Sequence, residues 1–370
     1  MTEGESIVRQ RRLTAADLRF TPPQFAKGQL LRMLAELYGE SGSLEALEGE
    51  RDQNHRLTTP NGRRFVVKVS GALEDPGVVD FQIKALLHLE RTSPDLPVPR
   101  LHRTLAGTPS GEIVDERDVA HVVRVLSYLP GVPFQNGRAP SRRALREIGA
   151  FLARLCQAFS SFNHPSSRHF MPWDITNGLV LNEGLWHDAQ ADILELAGPL
   201  RRHFQEDVLP KLGGLRAQVI HNDGHYDNFL RPDDESDRVA GLIDFGDMIH
   251  APLVCEVAVS ASSFLEGRDD PVEDVACLVQ GFHEELPLAE DEVEILYDLM
   301  LLRTVLSVLL VDFMLRTSDE PSVYLTGLRP EIFDGLRQML SIGERSFTDR
   351  FRAACHRPPS TTRASPGVRT

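Results

Sequence analysis

Two short motifs, close together in the chain, constrain what this sequence can fold into more than any other feature. The first is His221-Asn222-Asp223-Gly224-His225-Tyr226-Asp227-Asn228, an H-x-D-x-x-x-x-N run. The second is Ile243-Asp244-Phe245-Gly246-Asp247, which carries a D-F-G triplet. Between them lie an apolar pair (Phe229-Leu230), a polar turn (Pro232 to Asp237) and a second apolar stretch (Val239 to Ile243). That pattern predicts a hairpin. A hairpin returns Asp244 to the side of Asn228, so two distant positions converge on one site. Asp223, in the same loop, adds a carboxylate that can accept a proton. Either motif alone reads equally well as turn caps and a solvated strand end; in this order, with this spacer, each restricts the other.

The chain has 370 residues, enough for two lobes with a core each. Its formal net charge of −14 argues against a nucleic-acid partner, whose phosphates call for a basic surface. The same charge suits a cationic substrate, and also plain solubility. The four cysteines, Cys156, Cys255, Cys277 and Cys355, are scattered without a C-x-x-C, which gives neither a zinc site nor a disulfide framework. The start, Met-Thr-Glu-Gly-Glu, has no basic region followed by an apolar one, so no secretory signal is expected and a cytoplasmic location is. The longest apolar tract, Ile295 to Leu315, is interrupted by Asp298, Arg303 and Asp312. It is expected to be a buried core helix rather than a membrane span.

Along the chain, residues 1–20 are polar and read as a flexible terminus. Residues 21–129 combine a helix over Phe25 to Tyr38 with extended runs at Leu44 to Leu47, Asn54 to Thr58, Arg64 to Val69 and Val119 to Leu126, and a second helix from Val78 to Arg91. After Pro130-Gly131 the sequence turns helical to about residue 350, with helices over Arg142 to Phe159, Leu194 to Leu212, 253–266, 271–284 and 289–317. The end of the chain, 351–370, reads as a disordered tail rich in Pro, Ser, Thr and Arg. The expectation is a bilobal α+β protein: an antiparallel sheet with a packed helix, then a mainly helical lobe, with the ligand cleft between.

Kinases use such a motif pair to place a base and a metal, together with a lysine on a neighbouring strand that grips the nucleotide phosphates. Lys68, in Phe65-Val66-Val67-Lys68-Val69, fits that lysine, because strand alternation puts it opposite Val67 and Val69. Register on the following helix points Gln82 toward it, with Asp80 as the alternative partner. No G-x-G-x-x-G is present; the polar run Gly49 to Asn54 sits where a phosphate-covering loop would fall, and reads equally as a plain hairpin. Main-chain groups from Ser127 to Leu129, entering the hinge, are expected to meet a purine base. His221 and His225 are four apart, but the intervening glycine argues against the helix a zinc pair needs. His221 is expected to brace the loop, and His225 to approach the substrate. Asp174, after Trp173, is a candidate for a cationic substrate group, though a helix cap explains it at least as well.

These residues resemble the aminoglycoside phosphotransferase and choline kinase superfamily, most closely its hydroxylysine-kinase-like branch. The segments that carry the resemblance are Glu50-Arg51-Asp52-Gln53-Asn54, Phe81-Gln82 with Ala85-Leu86, Trp173-Asp174, Val219 to Asp223 and Ile243 to Met248, and it spans about residues 25 to 345. Gln82, where the wider superfamily has a glutamate, is a departure. The resemblance implies a protein-kinase-like fold and transfer of the γ-phosphoryl group of ATP or GTP, with Mg2+, to a hydroxyl of a small-molecule amine or amino acid. Of these acceptors 5-hydroxylysine is the first candidate, and aminoglycosides, homoserine and choline-type alcohols are alternatives. It implies Asp223 as catalytic base, Asn228 and Asp244 as metal ligands, Lys68 as phosphate ligand, and Asp247 as support for metal or substrate. Glu256 is expected to be a structural acid only. A homodimer is compatible with all of this. A nucleotide-binding pseudokinase is the reading from another class, motivated by Gln82 and the missing glycine-rich loop. A zinc hydrolase built on His221 and His225 is the third.

Overall fold

A computed structural model describes residues 22–49, 51–136, 138–176, 183–233, 235–265, 267–317 and 323–356. In chain order the first part comprises α1 (Lys27–Tyr38), β1 (Ser43–Leu47), β2 (Gln53–Thr58), β3 (Arg64–Val69), α2 (Pro76–Thr92), β4 (Leu101–His102), β5 (Gly111–Val114) and β6 (Ala120–Ser127). The strands form one antiparallel sheet in the order β1-β2-β3-β6-β4, with β5 also on β6. Alternation on β3 buries Phe65, Val67 and Val69 and turns Lys68 to the other face, opposite Arg124 of β6. Against the buried face lies α1 through Leu30, Met33 and Leu34, and Tyr38 Oη donates to Val123 O at 2.9 Å. Asp75 caps α2 by accepting from Gly77 N, with Pro76 in the first turn.

The second part begins with β7 (Val132–Pro133), α3 (Arg142–Phe159), α4 (Glu183–Asp188), α5 (Ala191–Ala197), α6 (Leu200–His203), α7 (Leu209–Leu212), β8 (Ala217–Ile220), β9 (Phe229–Arg231), β10 (Gly241–Leu242) and β11 (Ile249–Pro252). It ends with α8 (Val254–Ser263), α9 (Pro271–Glu285), α10 (Glu290–Thr317), α11 (Val323–Ile342) and α12 (Glu344–Cys355). Two small antiparallel sheets, β10-β9-β7 and β11-β8, hold the motif loops on the helical body. Gly131 (φ 148°) lets β7 lie against β9: a Cβ there would fall 2.7 Å from Arg231 O. The result is the expected bilobal, protein-kinase-like α+β architecture.

Two expectations need correction. The helix expected over Leu194 to Leu212 starts earlier and is broken: Gly198-Pro199 ends α5, and a π turn at Phe204–Val208 precedes Pro210. Pro210 has no N–H for the α-helical bond to its fourth predecessor, so the turn widens there. Beyond 317, where helix is expected to about residue 350 without individual bounds, α11 and α12 follow. Disorder from residue 351 is wrong as far as α12 extends, because Phe347, Phe351 and Ala354 share one buried face. The expected flexible segment 1–20 and tail residues 357–370 lie outside the described residues.

The charges that interrupt α10 are all paired. Asp298 meets His203 Nε2 at 2.9 Å, Asp312 meets Arg316 Nε at 2.9 Å, and Arg303 Nη1 donates to Trp173 O at 2.6 Å. Among the described residues no helix is long and apolar enough to cross a membrane. All four cysteines are free thiols, three of them buried.

Candidate active site

The motif loops meet at the floor of a cleft of about 1000 Å³. Its walls include Arg51, Asp52 and Lys68 on the sheet side, and Trp173, Tyr226 and Arg303 on the helical side.

β8 delivers the chain to His221. The main-chain N–H groups of His221 and Asn222 both donate to Glu256 Oε2, at 2.6 and 3.2 Å, from the first turn of α8. Burial pushes the Glu256 carboxyl up to about 7. His221 Nδ1 accepts from Asp223 N at 3.3 Å and Nε2 faces Ile243 O at 3.2 Å, so the ring ties the first motif to the second. Burial lowers its pKa and keeps it neutral, and Phe245 meets it edge-on at 4.7 Å. Two non-glycine residues take left-handed backbone here, Asn222 (φ 64°) and Asp244 (φ 59°). Asn and Asp tolerate this conformation better than most, and such strain concentrates at functional sites.

Asp223 is the meeting point. Its Oδ2 accepts from Asn228 Nδ2 at 2.7 Å; its Oδ1 lies 3.3 Å from His225 Nε2 and 3.9 Å from Arg303 Nη2. Burial alone would raise its pKa, but His225 and then Arg303 and His221 outweigh that, and the carboxyl is held below its ordinary value. In return Asp223 and Asp227 raise the pKa of His225 against the effect of burial. Arg303 moves the other way, because its burial is not fully offset by Asp223 and Asp174. Its guanidinium lies over Trp173, 5.4 Å from the ring centre.

Asp244 stands across the hairpin and accepts from Gly246 N at 3.2 Å and from Lys68 Nζ at 3.3 Å. Lys68, then Arg51, holds its carboxyl well below the usual range. Asp247 pairs with Arg51, and its carbonyl accepts from Asn222 Nδ2 at 3.2 Å.

The cleft thus brings together Asp223, His225, Asn228, Asp244, Asp247, Lys68 and Gln82. Several expected contacts are absent. Gln82 does not reach Lys68: it donates to Gly246 O at 3.1 Å and accepts from buried Arg124. Asp80 is engaged with Lys84 at 2.7 Å and His164 at 3.0 Å. The carboxylates beside Lys68 are Asp244 and Asp52, the latter at 3.5 Å. The Ser127 N–H, expected to meet a base, is spent on Arg100 O at 2.8 Å, and neither Ser127 nor Leu129 lines the cleft. Asp174 is buried behind Trp173, where it accepts from Thr176 N and Oγ1 at 2.8 and 2.7 Å and caps a turn rather than facing a substrate. The rings of His221 and His225 turn to different partners, so they do not form a zinc pair.

Sequence reasoning missed Arg303 and Arg124 as site residues. Each is a buried charge flanked mostly by apolar residues, and that mismatch was the available signal.

The family model of the phosphotransferase enzymes known as APH matches residues 43–292, more than half of the chain. The chain belongs to that phosphotransferase family. It is therefore a small-molecule kinase with a hydroxyl group as acceptor. Hydroxylysine kinase of Mus musculus is 25% identical to this phosphotransferase over 351 residues, covering 88% of this chain and 92% of that one. Homoserine kinase of Methylobacillus flagellatus is 26% identical over 274 residues, covering 73% and 76%. Among solved structures, a microcompartment-associated aminopropanol kinase superposes with a TM-score of 0.68 at 16% identity, covering 87% of this chain and 99% of that one. Amicoumacin kinase hAmiN, in complex with AMP-PNP, Ca2+ and Ami, gives 0.63 at 14% identity, covering 85% and 94%.

Proposed function

We propose that this phosphotransferase moves the γ-phosphoryl group of ATP or GTP to the hydroxyl of a small hydroxylated amino acid, with 5-hydroxylysine the first candidate and homoserine the second. The observation that carries the reading is the convergence of Asp223, Asn228, Asp244 and Lys68 on one cleft. The relatives named hydroxylysine kinase and homoserine kinase support the acceptor class. So does Arg303, a buried guanidinium in the cleft wall whose contact with Asp223, at 3.9 Å, is too long for a charge-assisted hydrogen bond. A carboxylate on the acceptor would complete it; choline and aminoglycosides have none to offer.

In this reading Asp223 orients the acceptor hydroxyl and takes its proton. Asn228 holds the Asp223 carboxylate through Nδ2, which leaves the amide oxygen of Asn228 for a metal. That oxygen, Asp244 and Asp247 make a hard, oxygen-only donor set, which suits Mg2+. A bound magnesium ion supplies neutralisation of phosphate charge. Lys68 grips the phosphates. The rest of the acceleration comes from holding donor and acceptor in line.

The deciding experiment follows nucleotide consumption with ATP or GTP and Mg2+ across 5-hydroxylysine, homoserine, choline, ethanolamine and several aminoglycosides. Turnover should appear with an amino acid acceptor and fall about 10²- to 10⁴-fold in Asp223→Asn, with nucleotide affinity little changed. Turnover confined to choline or an aminoglycoside would refute the amino acid assignment. Turnover that survives Asp223→Asn would refute the base.

A further inference from the structure

The chain lacks a glycine-rich loop over the phosphates, yet one short stretch of the sheet reaches both walls of the cleft. Arg51 and Asp52 precede β2, and their side chains go to opposite partners. The Asp52 carboxylate is nearly buried and takes two cations of the sheet through Oδ2, Lys68 at 3.5 Å and Arg124 at 3.1 Å. The Arg51 guanidinium crosses to the second motif and pairs with Asp247. Gly49 lets the chain fold this tightly, since a Cβ there would fall 2.7 Å from Asp52 O.

We propose that Arg51 and Asp52 together do the work of the missing glycine-rich loop: Asp52 fixes the reach of Lys68, and Arg51 binds the outer phosphates of the nucleotide. The inference rests on the nucleotide reading above and names residues that reading leaves unassigned.

Charge accounting supports it. Around the phosphate end of the cleft stand four carboxylates (Asp52, Glu74, Asp244, Asp247) and three cations (Lys68, Arg51, Arg124), so an anionic ligand must be met by the cations that face the opening. Two of the cations, Lys68 and Arg51, line the open cleft, whereas Arg124 is buried behind it. A triphosphate entering there meets two cations already aimed at anionic oxygens, and a guanidinium can bind phosphate with two parallel N–H bonds. Arg51 then exchanges one anion, Asp247, for another. Gln82 completes the arrangement by staying neutral. A glutamate at 82 would set a second carboxylate against Arg124 and give up the bond to Gly246 O. The carboxylate that helices usually supply to such a lysine has moved to the sheet.

The test is calorimetric binding to the full-length protein of ATP, GTP and AMP, each with and without Mg2+, with melting temperatures as a check on folding. The proteins are wild type, Arg51→Gln, Arg51→Lys, Asp52→Asn, Asp52→Asn/Gln82→Glu and Lys68→Ala. Arg51→Gln should weaken triphosphate binding at least about 10-fold, and AMP binding by less than about twofold. Arg51→Lys should fall between. Asp52→Asn should also weaken the triphosphate, and Gln82→Glu in that background should recover part of the loss. Unchanged triphosphate affinity in Arg51→Gln overturns the proposal, as does an equal loss for AMP, which would assign Arg51 to joining the lobes. If Asp52→Asn does not fold, the Arg51 pair decides alone. Should Lys68→Ala also bind normally, the nucleotide site itself is misplaced; a loss confined to Lys68→Ala refutes this proposal only.

Discussion

Arg303 is the residue whose role is most open to measurement, because two readings of it separate cleanly. If it serves only to keep Asp223 ionised, replacing it should slow every acceptor alike. If it receives the acceptor carboxylate, the loss should depend on the acceptor. For Arg303→Gln we expect kcat/KM to drop at least about 10-fold with 5-hydroxylysine or homoserine, and far less with 1-amino-2-propanol, which has hydroxyl and amine but no carboxylate. A uniform loss across the three would remove the carboxylate assignment. Asp223, Asn228, Asp244 and Lys68 were legible in the sequence because each sits in a motif or strand whose local geometry dictates its direction. Arg303, Arg124 and the Asp52–Lys68 pair were not. For the two arginines the meaning depends on contacts between elements far apart in the chain: Arg124 and Gln82 are 42 positions apart, Arg303 and Trp173 130; the Asp52–Lys68 pair is local, but it depends on the register of β2 against β3. Asp174 was legible only as a choice between two roles. An acid beside a tryptophan looks like a cation site, but burial and the bonds from Thr176 use it as a cap.

At the scale of elements, the junction of α8 with the catalytic loop carries a pH dependence whose sign can be worked out. Glu256 has an ordinary value of 4.5 and is pushed up to about 7 in the fold, burial being the largest cause. Well below pH 4.5 both folded and unfolded chains hold the proton. As pH rises toward 7, the unfolded chain releases it while the fold retains it, so stability falls across that window, by up to about 3 kcal/mol. Glu256→Gln should flatten the dependence while keeping an acceptor for the N–H groups of His221 and Asn222. Urea unfolding at pH 5 and pH 7.5 measures both slopes; equal slopes in wild type and variant would show that Glu256 does not titrate as its burial implies. The elements themselves were read unevenly. β3 and α3 matched to the residue because alternation and helical spacing are strong there. The stretch from α5 to α7 looked like one helix because its apolar spacing continues through Gly198-Pro199 and Pro210, and those residues decide the backbone. For α12, Phe347 and Phe351 lie one turn apart, a signal masked by the charged residues between them.

The described residues form two hydrophobic cores of unequal size, and α2 belongs to the larger. The small core joins α1 to one face of the sheet through Leu30, Leu34, Val67, Val69 and Val123. The large one fills the helical lobe and takes in Phe81, Leu86 and Leu89 of α2. Phe81 stacks on Phe162 at 6.0 Å, and His88 Nε2 faces Ala158 O at 2.8 Å. So α2, and Gln82 with it, is anchored to the helical lobe, while the sheet that bears Lys68 rests on fewer buried contacts. Regions with a small core and exposed edges open at lower free energy than the body. Amides of β1, β2 and β3 should therefore exchange hydrogen faster than those of α3, α9 and α10, with α2 following the helices rather than the sheet. Adding a non-hydrolysable nucleotide should slow exchange in β1 to β3 most, because Arg51 and Lys68 would then be drawn to a common ligand, with Asp52 holding Lys68. Exchange in α2 that tracks the sheet, with or without nucleotide, would mean that the contacts of Phe81 and His88 do not divide the molecule in this way.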